Sequence, residues 1–292
     1  MGGIAGCLAL ADGAGPDTEW VGRAALRIAH RGPDDEGFFA DQDLALAFRR
    51  LAVIDPSAGG RQPVYSADGR YVMAFDGEIY NYVELAQRLA GRGIQLRTRS
   101  GAEVLIEMYA WLGKDVVRQL RGMYAFAIWD RRTRELFCAR DPFGIKPFFY
   151  ALTAGARRAG PQLRFASERK ALADAGEVTA IDPDALRRYL SFQYVPAPAT
   201  LVPPIRSLPP GHVLIARPAA RSARARAAAR GPAAPAWPGP ARTGTTGTCA
   251  GRPGRSPSPR RRRPAPCVRK RTSAAGRTWA GGRRWSARRR TA

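Results

Sequence analysis

Acidic side chains are absent from the last quarter of the chain. Residues 217–292 contain 21 of the 48 Lys and Arg residues and none of the 24 Asp and Glu, whereas the two signs nearly balance over residues 1–216. The same segment lacks Leu, Ile, Phe, Met and Tyr. It cannot bury enough apolar surface to offset about 1–2 kcal/mol of backbone entropy per residue. We therefore predict a disordered basic tail rich in Arg, Ala, Pro and Gly.

Two explanations of this basic tail are open. An Arg-rich segment can bind nucleic acid by releasing counterions from the phosphates. A G+C-rich gene translated out of frame gives the same composition, and the change near Arg217 is abrupt. We favour the out-of-frame explanation, because base-stacking aromatics are limited to Trp237, Trp279 and Trp285 and no nucleic-acid module is recognisable. A nucleic-acid partner is therefore not expected.

Cysteine and histidine are scarce, with four and two residues respectively. Two of the cysteines, Cys249 and Cys267, lie in the tail, so the set does not form a disulfide framework, which fits a cytoplasmic, reducing compartment. No cluster of His, Cys and Asp has the spacing of metal ligands, and no metal site is expected. No apolar run approaches the roughly 18 residues that a membrane span requires, so no membrane partner is expected.

Short apolar strands alternate with amphipathic helices over residues 1–216. Strands outnumber helices and tight turns join several of them, which favours antiparallel sheet with helices packed outside, an α+β fold. The predicted strands are Ile4–Leu10, Leu44–Phe48, Tyr71–Phe75, Met123–Trp129, Glu135–Arg140, Pro147–Tyr150 and Leu163–Ala166. The predicted helices are Glu19–Ala29, Tyr82–Ala90, Ala102–Leu112 and Pro183–Ser191.

Composition divides the chain into three parts. Residues 1–180 are expected to form the folded domain. Residues 181–216 are rich in proline and are predicted to be a connector toward a further domain. Residues 217–292 are the basic tail.

Several ordered motifs in residues 1–216 resemble glutamine-hydrolysing asparagine synthetase. They are Arg31–Asp34 with Glu36-Gly37, Arg49–Asp55, Phe75–Tyr82, Gly122–Ala127, Ala139–Pro147, Phe165–Glu168 and Leu208–His212. The resemblance implies a class II glutamine amidotransferase domain of the N-terminal-nucleophile type. Such a domain is a four-layer αββα sandwich, in agreement with the strand-rich pattern.

The resemblance also implies a mechanism. In the family a cysteine at the second position loses the preceding Met, attacks the side-chain amide of glutamine and releases ammonia. The ammonia reaches a second domain, where ATP activates aspartate. Glutamine is thus the expected small-molecule partner, and a second copy of the chain or a separate synthetase subunit is a possible protein partner.

This sequence departs from the family at three of the positions that the resemblance assigns to the site. Gly2 replaces the nucleophilic cysteine, Asp76 replaces the asparagine that would donate to the oxyanion, and Gly101 replaces the aspartate that would pair with the glutamine ammonium. Arg50 remains suited to a bidentate grip on the substrate carboxylate. Gly77 and Glu78 complete the retained set.

The nucleotide site of the family is missing as well. No Ser-Gly-Gly-Leu/Val-Asp-Ser loop follows Gly211, so ATP and magnesium are expected only in a synthetase domain absent from this sequence, and no cofactor is expected here. The expected function is the amidotransferase domain of an asparagine synthetase, a ligase in family terms, inactive as written. The alternatives are a non-catalytic amino-acid-binding or scaffold domain and a nucleic-acid binder acting through the tail.

Other reactive side chains are expected to be structural. Cys7 lies inside the first predicted strand and is interpreted as a buried thiol. His30 and His212 have no evident partners, so a structural or solvated role is expected for both. The triplet Asp34-Asp35-Glu36 is interpreted as a solvated turn. The charges of Arg140, Asp141 and Lys146 are interpreted as braces for the loop that contains them.

Overall fold

Two antiparallel sheets form the centre of the protein. The computed structural model describes residues 2–52, 58–154, 160–173 and 180–219. The strands are β1 (Gly2–Ala9), β2 (Asp35–Ala40), β3 (Leu44–Arg50), β4 (Val64–Tyr65), β5 (Tyr71–Ile79), β6 (Gly122–Asp130), β7 (Glu135–Arg140), β8 (Phe149–Thr153), β9 (Gln162–Ala166), β10 (Arg206–Ser207) and β11 (Val213–Ala216). One sheet has the order β10-β8-β9-β1-β3-β2 and the other has the order β11-β7-β6-β5-β4.

Helices cover the outer faces of both sheets. They are α1 (Thr18–Arg27), α2 (Tyr82–Ala90), α3 (Gly101–Leu112) and α4 (Arg169–Leu172), and a further helix, α5 (Pro183–Phe192), follows them along the chain. The starts of α3 and α5 follow the usual capping chemistry: the Ser100 side chain accepts from the N–H of Ala102, and Asp182 caps α5 immediately before Pro183.

Three apolar clusters separate the layers. The inner cluster joins Leu46 and Phe48 of the first sheet to Val72 and Trp129 of the second, so the two sheets face one another. A second cluster packs α2 and α3 on the outer face of the second sheet, and a third packs α1 and α4 on the outer face of the first. This arrangement confirms the predicted four-layer αββα sandwich.

The predicted solvated turn at Asp34-Asp35-Glu36 is wrong. Asp35 and Glu36 open β2, an edge strand paired with β3. Both carboxylates are held by arginines, since Arg61 Nε lies 3.1 Å from Asp35 and Arg49 forms an ion pair with Glu36. Local composition favoured a turn, but strand pairing and these cross-strand ion pairs decide the conformation.

Residues 181–216, predicted to be a connector, instead contribute to the domain. β10 pairs with β8 and β11 pairs with β7, so the segment adds one strand to each sheet. The expected boundary near residue 180 therefore cuts through the fold. Arg217, the first residue of the expected tail, donates to Glu135 at 2.9 Å. Residues 220–292 of the tail lie outside the described residues.

Cys7 is the buried thiol that its strand position predicts. It is fully buried and its Sγ donates to Gln162 Oε1 at 2.8 Å. Burial raises the pKa of the Cys7 thiol to about 12, so the reactive thiolate is scarce at neutral pH. In the parts of the chain that the structure describes, no helix has the length and apolar character needed to cross a bilayer. The same residues hold no group of three His, Cys, Asp or Glu side chains arranged for a metal ion.

Candidate active site

Four of the site residues predicted from the sequence line one small cavity. Arg50, Gly77, Glu78 and Gly101 surround a space of about 120 Å³, which is small beside the roughly 300–1,000 Å³ of a pocket for a drug-sized ligand. They come from the end of β3, from β5 and from the start of α3. Their neighbours in the lining include Phe48, Gln62, Tyr82, Arg99 and Ser100.

Arg50 is the one largely buried cation among the described lining residues. It is the last residue of β3, paired across the strands with Gly2 on one side and Asp35 on the other. Its side chain is 9% exposed, and its guanidinium lies 3.9 Å from the carboxylate of Asp35. Arg61 approaches the same carboxylate at 3.1 Å. An arginine guanidinium presents its N–H donors as a planar fork, a geometry that suits the two oxygens of a ligand carboxylate.

Glycine is required at position 77 by its backbone. Gly77 has φ +151° and lies opposite Tyr124 in the β5–β6 ladder. A Cβ at this position would overlap the carbonyl oxygen of Met123 and lie 2.7 Å from the Tyr124 Cα. The close approach of β6 therefore fixes this part of the cavity wall.

Replacing Gly77 with Ala is expected to lower the free energy of unfolding by about 2–3 kcal/mol. The added methyl group meets backbone atoms of β6, and the φ of +151° is strained for any residue with a Cβ. Urea unfolding followed by circular dichroism measures the change. Gly69→Ala is the control, because Gly69 also has a positive φ but has open space around its Cβ position. Equal losses for both variants would show that φ alone, not the close strand, is responsible.

Asp76 and the backbone of Gly2 form a buried pair beside the cavity. Asp76 is fully buried, and its Oδ1 accepts from the N–H of Gly2 at 2.8 Å. Its Oδ2 accepts from Arg31 at 2.8 Å, and the Nζ of Lys146 lies 3.5 Å from Oδ1. Both carboxylate oxygens are therefore engaged by the protein. Two of the three positions at which the sequence analysis expects a departure from the family thus lie in direct contact.

The first residue of β1 has no room for a side chain. A Cβ on Gly2 would overlap the carbonyl oxygen of Arg49 and lie 2.6 Å from the Cζ of Phe48. Phe48 also lines the cavity, so the same side chain borders the cavity and the Cβ position of Gly2. Gly101 is different, because the nearest atom to an added Cβ there is the Tyr82 Cβ at 3.8 Å. A side chain can be added at Gly101 without displacing its neighbours.

The sequence of the domain matches the model of a known protein family. The model for the glutamine amidotransferase domain matches residues 1–226, more than three quarters of the chain. The chain belongs to the glutamine amidotransferase domain family. This agrees with the predicted resemblance and with the αββα layers.

Curated relatives of this amidotransferase domain are asparagine synthetases. The chain is 44% identical over 191 residues to "Asparagine synthetase [glutamine-hydrolyzing] 1" of Bacillus subtilis, which covers 65% of this chain and 29% of the relative. It is 43% identical over 205 residues to a putative asparagine synthetase of Mycobacterium tuberculosis, covering 65% and 30%. The matched region thus spans less than a third of these relatives.

A solved structure supports the fold of the amidotransferase domain. The glutamine phosphoribosylpyrophosphate amidotransferase of B. subtilis, in complex with ADP and GMP, superposes with a TM-score of 0.52 at 20% identity. The match covers 74% of this chain and 47% of that one. At this identity the likeness concerns the sandwich alone.

Lys146 of the amidotransferase domain does not act as the predicted loop brace. Its Nζ faces Asp76, and the residue is 6% exposed. The other two charges of the segment do brace the loop: Asp141 accepts from the N–H of Ile145 at 3.0 Å, and Arg140 donates to the carbonyl of Gly144 at 2.7 Å. The sequence placed all three charges in one loop but could not indicate that one side chain crosses to β5.

His30 has a partner that the sequence analysis missed. Its Nε2 lies 2.7 Å from Glu168 Oε1, and Arg31 approaches the same oxygen at 3.3 Å. Burial raises the pKa of Glu168, but hydrogen bonds from His30 and Lys170 outweigh it and hold the pKa below its usual value. Arg31 therefore links the surface carboxylate of Glu168 to the buried one of Asp76. Arg31 and Glu168 both belong to motifs that carried the family resemblance, and this was the sequence signal that could have pointed to their contact.

His212 caps its own turn, with Nδ1 2.8 Å from the carbonyl of Pro210.

Proposed function

We propose that this amidotransferase domain recognises the carboxylate of a small ligand through Arg50 and does not hydrolyse glutamine. The observation that carries the proposal is the 2.8 Å hydrogen bond from the backbone N–H of Gly2 to the carboxylate of Asp76. Where the resemblance places a thiol beside a terminal amine, this chain has the backbone N–H of a glycine held by a carboxylate.

Amide hydrolysis by this family's chemistry needs a nucleophile and a donor for the tetrahedral oxyanion. Gly2 supplies neither sulfur nor hydroxyl. Asp76 accepts hydrogen bonds and cannot donate one while ionised. Removing one oxyanion donor in other enzymes costs about 10²–10³ in rate, and a negative charge at that position opposes the developing oxyanion further. The loss of the thiol comes in addition.

The role of the longer protein is part of the same proposal. The relatives are named as glutamine-hydrolysing asparagine synthetases and are more than three times the length of the matched region. In this proposal ATP and magnesium act in a synthetase domain with aspartate as acceptor, and the amidotransferase domain carries none of that chemistry. A second copy of the chain or a separate synthetase subunit would be the protein partner.

Ammonia release tests the proposal directly. The purified full chain is incubated with millimolar glutamine, and glutamate and ammonia are measured together over hours. The expected result is no release above that of a heat-inactivated sample of the same preparation. Release that saturates with glutamine, scales with protein and survives repurification would overturn the proposal, because it would require a nucleophile that Gly2 does not provide.

A further inference from the structure

The charges that line the cavity favour anions. The lining contains the guanidinium groups of Arg50 and Arg99 and the single carboxylate of Glu78. Arg99 is exposed while it lines the cavity. The first turn of α3 also lines the space and adds the partial positive charge of a helix N-terminus. The balance of charge is therefore positive.

The described lining of the cavity offers little negative charge to pair with a ligand ammonium group. Gly101, at the first position of α3, offers no side chain, and the space around its Cβ position is open up to Tyr82. Glu78 is then the remaining anion in the described lining, and burial raises the pKa of its carboxyl. An ammonium group that entered this cavity would lose part of its hydration, and within the described lining it would gain only the Glu78 carboxyl as a partner. An incompletely paired buried charge is costly, whereas a ligand without that charge avoids the cost.

A five-carbon dicarboxylate has the length of glutamine without the ammonium group. One carboxylate matches the fork of the buried Arg50 guanidinium, and the second can pair with Arg99 at the rim or with the N–H groups at the start of α3. We propose that the cavity binds small dicarboxylates of glutamine length that lack an α-ammonium group, with glutarate as the simplest member, more tightly than it binds glutamine. This inference rests on the proposed function, since it concerns the ligand of the same non-hydrolysing cavity.

A single substitution at Gly101 separates this proposal from general anion binding. Gly101→Asp adds a carboxylate to a residue that lines the cavity, and its Cβ would lie at an ordinary van der Waals distance of 3.8 Å from the Tyr82 Cβ. The new carboxylate pairs with an ammonium group and repels the second carboxylate of glutarate. The variant is therefore expected to reverse the ligand preference. Gly101→Asn is the matched control, because it adds the same volume without charge.

The test is a pair of titrations on the full chain, with glutarate and with glutamine at matched ionic strength, followed by calorimetry or by amide chemical shifts. We expect glutarate to bind at least about tenfold more tightly, Gly101→Asp to favour glutamine, and Gly101→Asn to keep the original order. Arg50→Gln is expected to weaken both ligands at least tenfold. Equal or tighter binding of glutamine by the unaltered chain, or no saturable response to glutarate, would overturn the inference.

Ammonia measured in the same glutamine samples keeps the two proposals apart. Release of ammonia would overturn the non-hydrolysing function whatever the order of affinities. If glutamine bound as tightly as glutarate or more tightly and no ammonia were released, only the proposed ligand preference would be overturned.

Discussion

Replacing Asp76 with Asn is expected to lower the free energy of unfolding by about 3 kcal/mol. The Asp76 carboxylate is fully buried and faces Arg31 at 2.8 Å and Lys146 at 3.5 Å. Lys146 is itself buried, so the substitution removes the ion-pair partner of its ammonium group. Breaking a buried ion pair from one side costs about 3–5 kcal/mol. The lower end applies here, because Arg31 retains Glu168 and the amide oxygen of Asn can still accept from Gly2.

Urea unfolding at neutral pH gives the difference between Asp76→Asn and the unaltered chain. Glu19→Gln is the control, since it removes a carboxylate from an exposed pair on α1, where Arg23 lies 3.9 Å away. That change should alter the free energy of unfolding by less than about 0.5 kcal/mol. If Asp76→Asn proved as mild as the control, Arg31 and Lys146 would not depend on Asp76 for their compensation.

Introducing sulfur through Gly2→Cys is expected to destabilise the domain without producing glutaminase activity. The new Cβ would overlap the carbonyl oxygen of Arg49 and press on the Phe48 ring, so β1 must shift away from β3. Crowding of this kind costs about 1–3 kcal/mol. The neighbouring carboxylate of Asp76, which accepts from the backbone N–H of residue 2, provides no oxyanion donor while ionised.

Two measurements check the Gly2→Cys result: the urea midpoint and ammonia release from glutamine. Gly101→Cys is the matched control, because it adds the same side chain where the nearest neighbour is 3.8 Å away. The control should unfold within about 0.5 kcal/mol of the unaltered chain. Glutamine hydrolysis by Gly2→Cys alone would show that Asp76 is compatible with an oxyanion, and our account of the site would be wrong.

The local sequence pattern correctly predicted the helices and strands that do not depend on pairing with a distant part of the chain. The bounds predicted for Tyr82–Ala90 and Glu135–Arg140 match α2 and β7. The short strands β10 and β11 were missed, because they consist of ordinary residues in a proline-rich segment and become strands only by pairing with distant partners. β2 was missed for the related reason that its first two residues are acidic. Pairing across the sheet, rather than propensity, determines these elements.

The site shows the same division between local and distant information. Arg50, Gly77 and Glu78 could be placed from ordered motifs, and the structure brings them around one cavity. The position of Lys146 against Asp76 could not be predicted from the sequence motifs. The two residues are 70 positions apart, and the loop braced by Asp141 determines which way Lys146 points. A sequence motif shows which charges are present but not which buried partner each one meets.

The two short strands contributed by residues 181–216 occupy the outermost position of each sheet. β10 covers β8 and β11 covers β7, each by antiparallel pairing. An uncovered strand presents unpaired N–H and C=O groups that can template pairing with another molecule. A fragment ending at residue 180 would replace these short edge strands with the longer strands β8 and β7 and should be more prone to self-association, so expression of this domain alone should extend at least to Ala216.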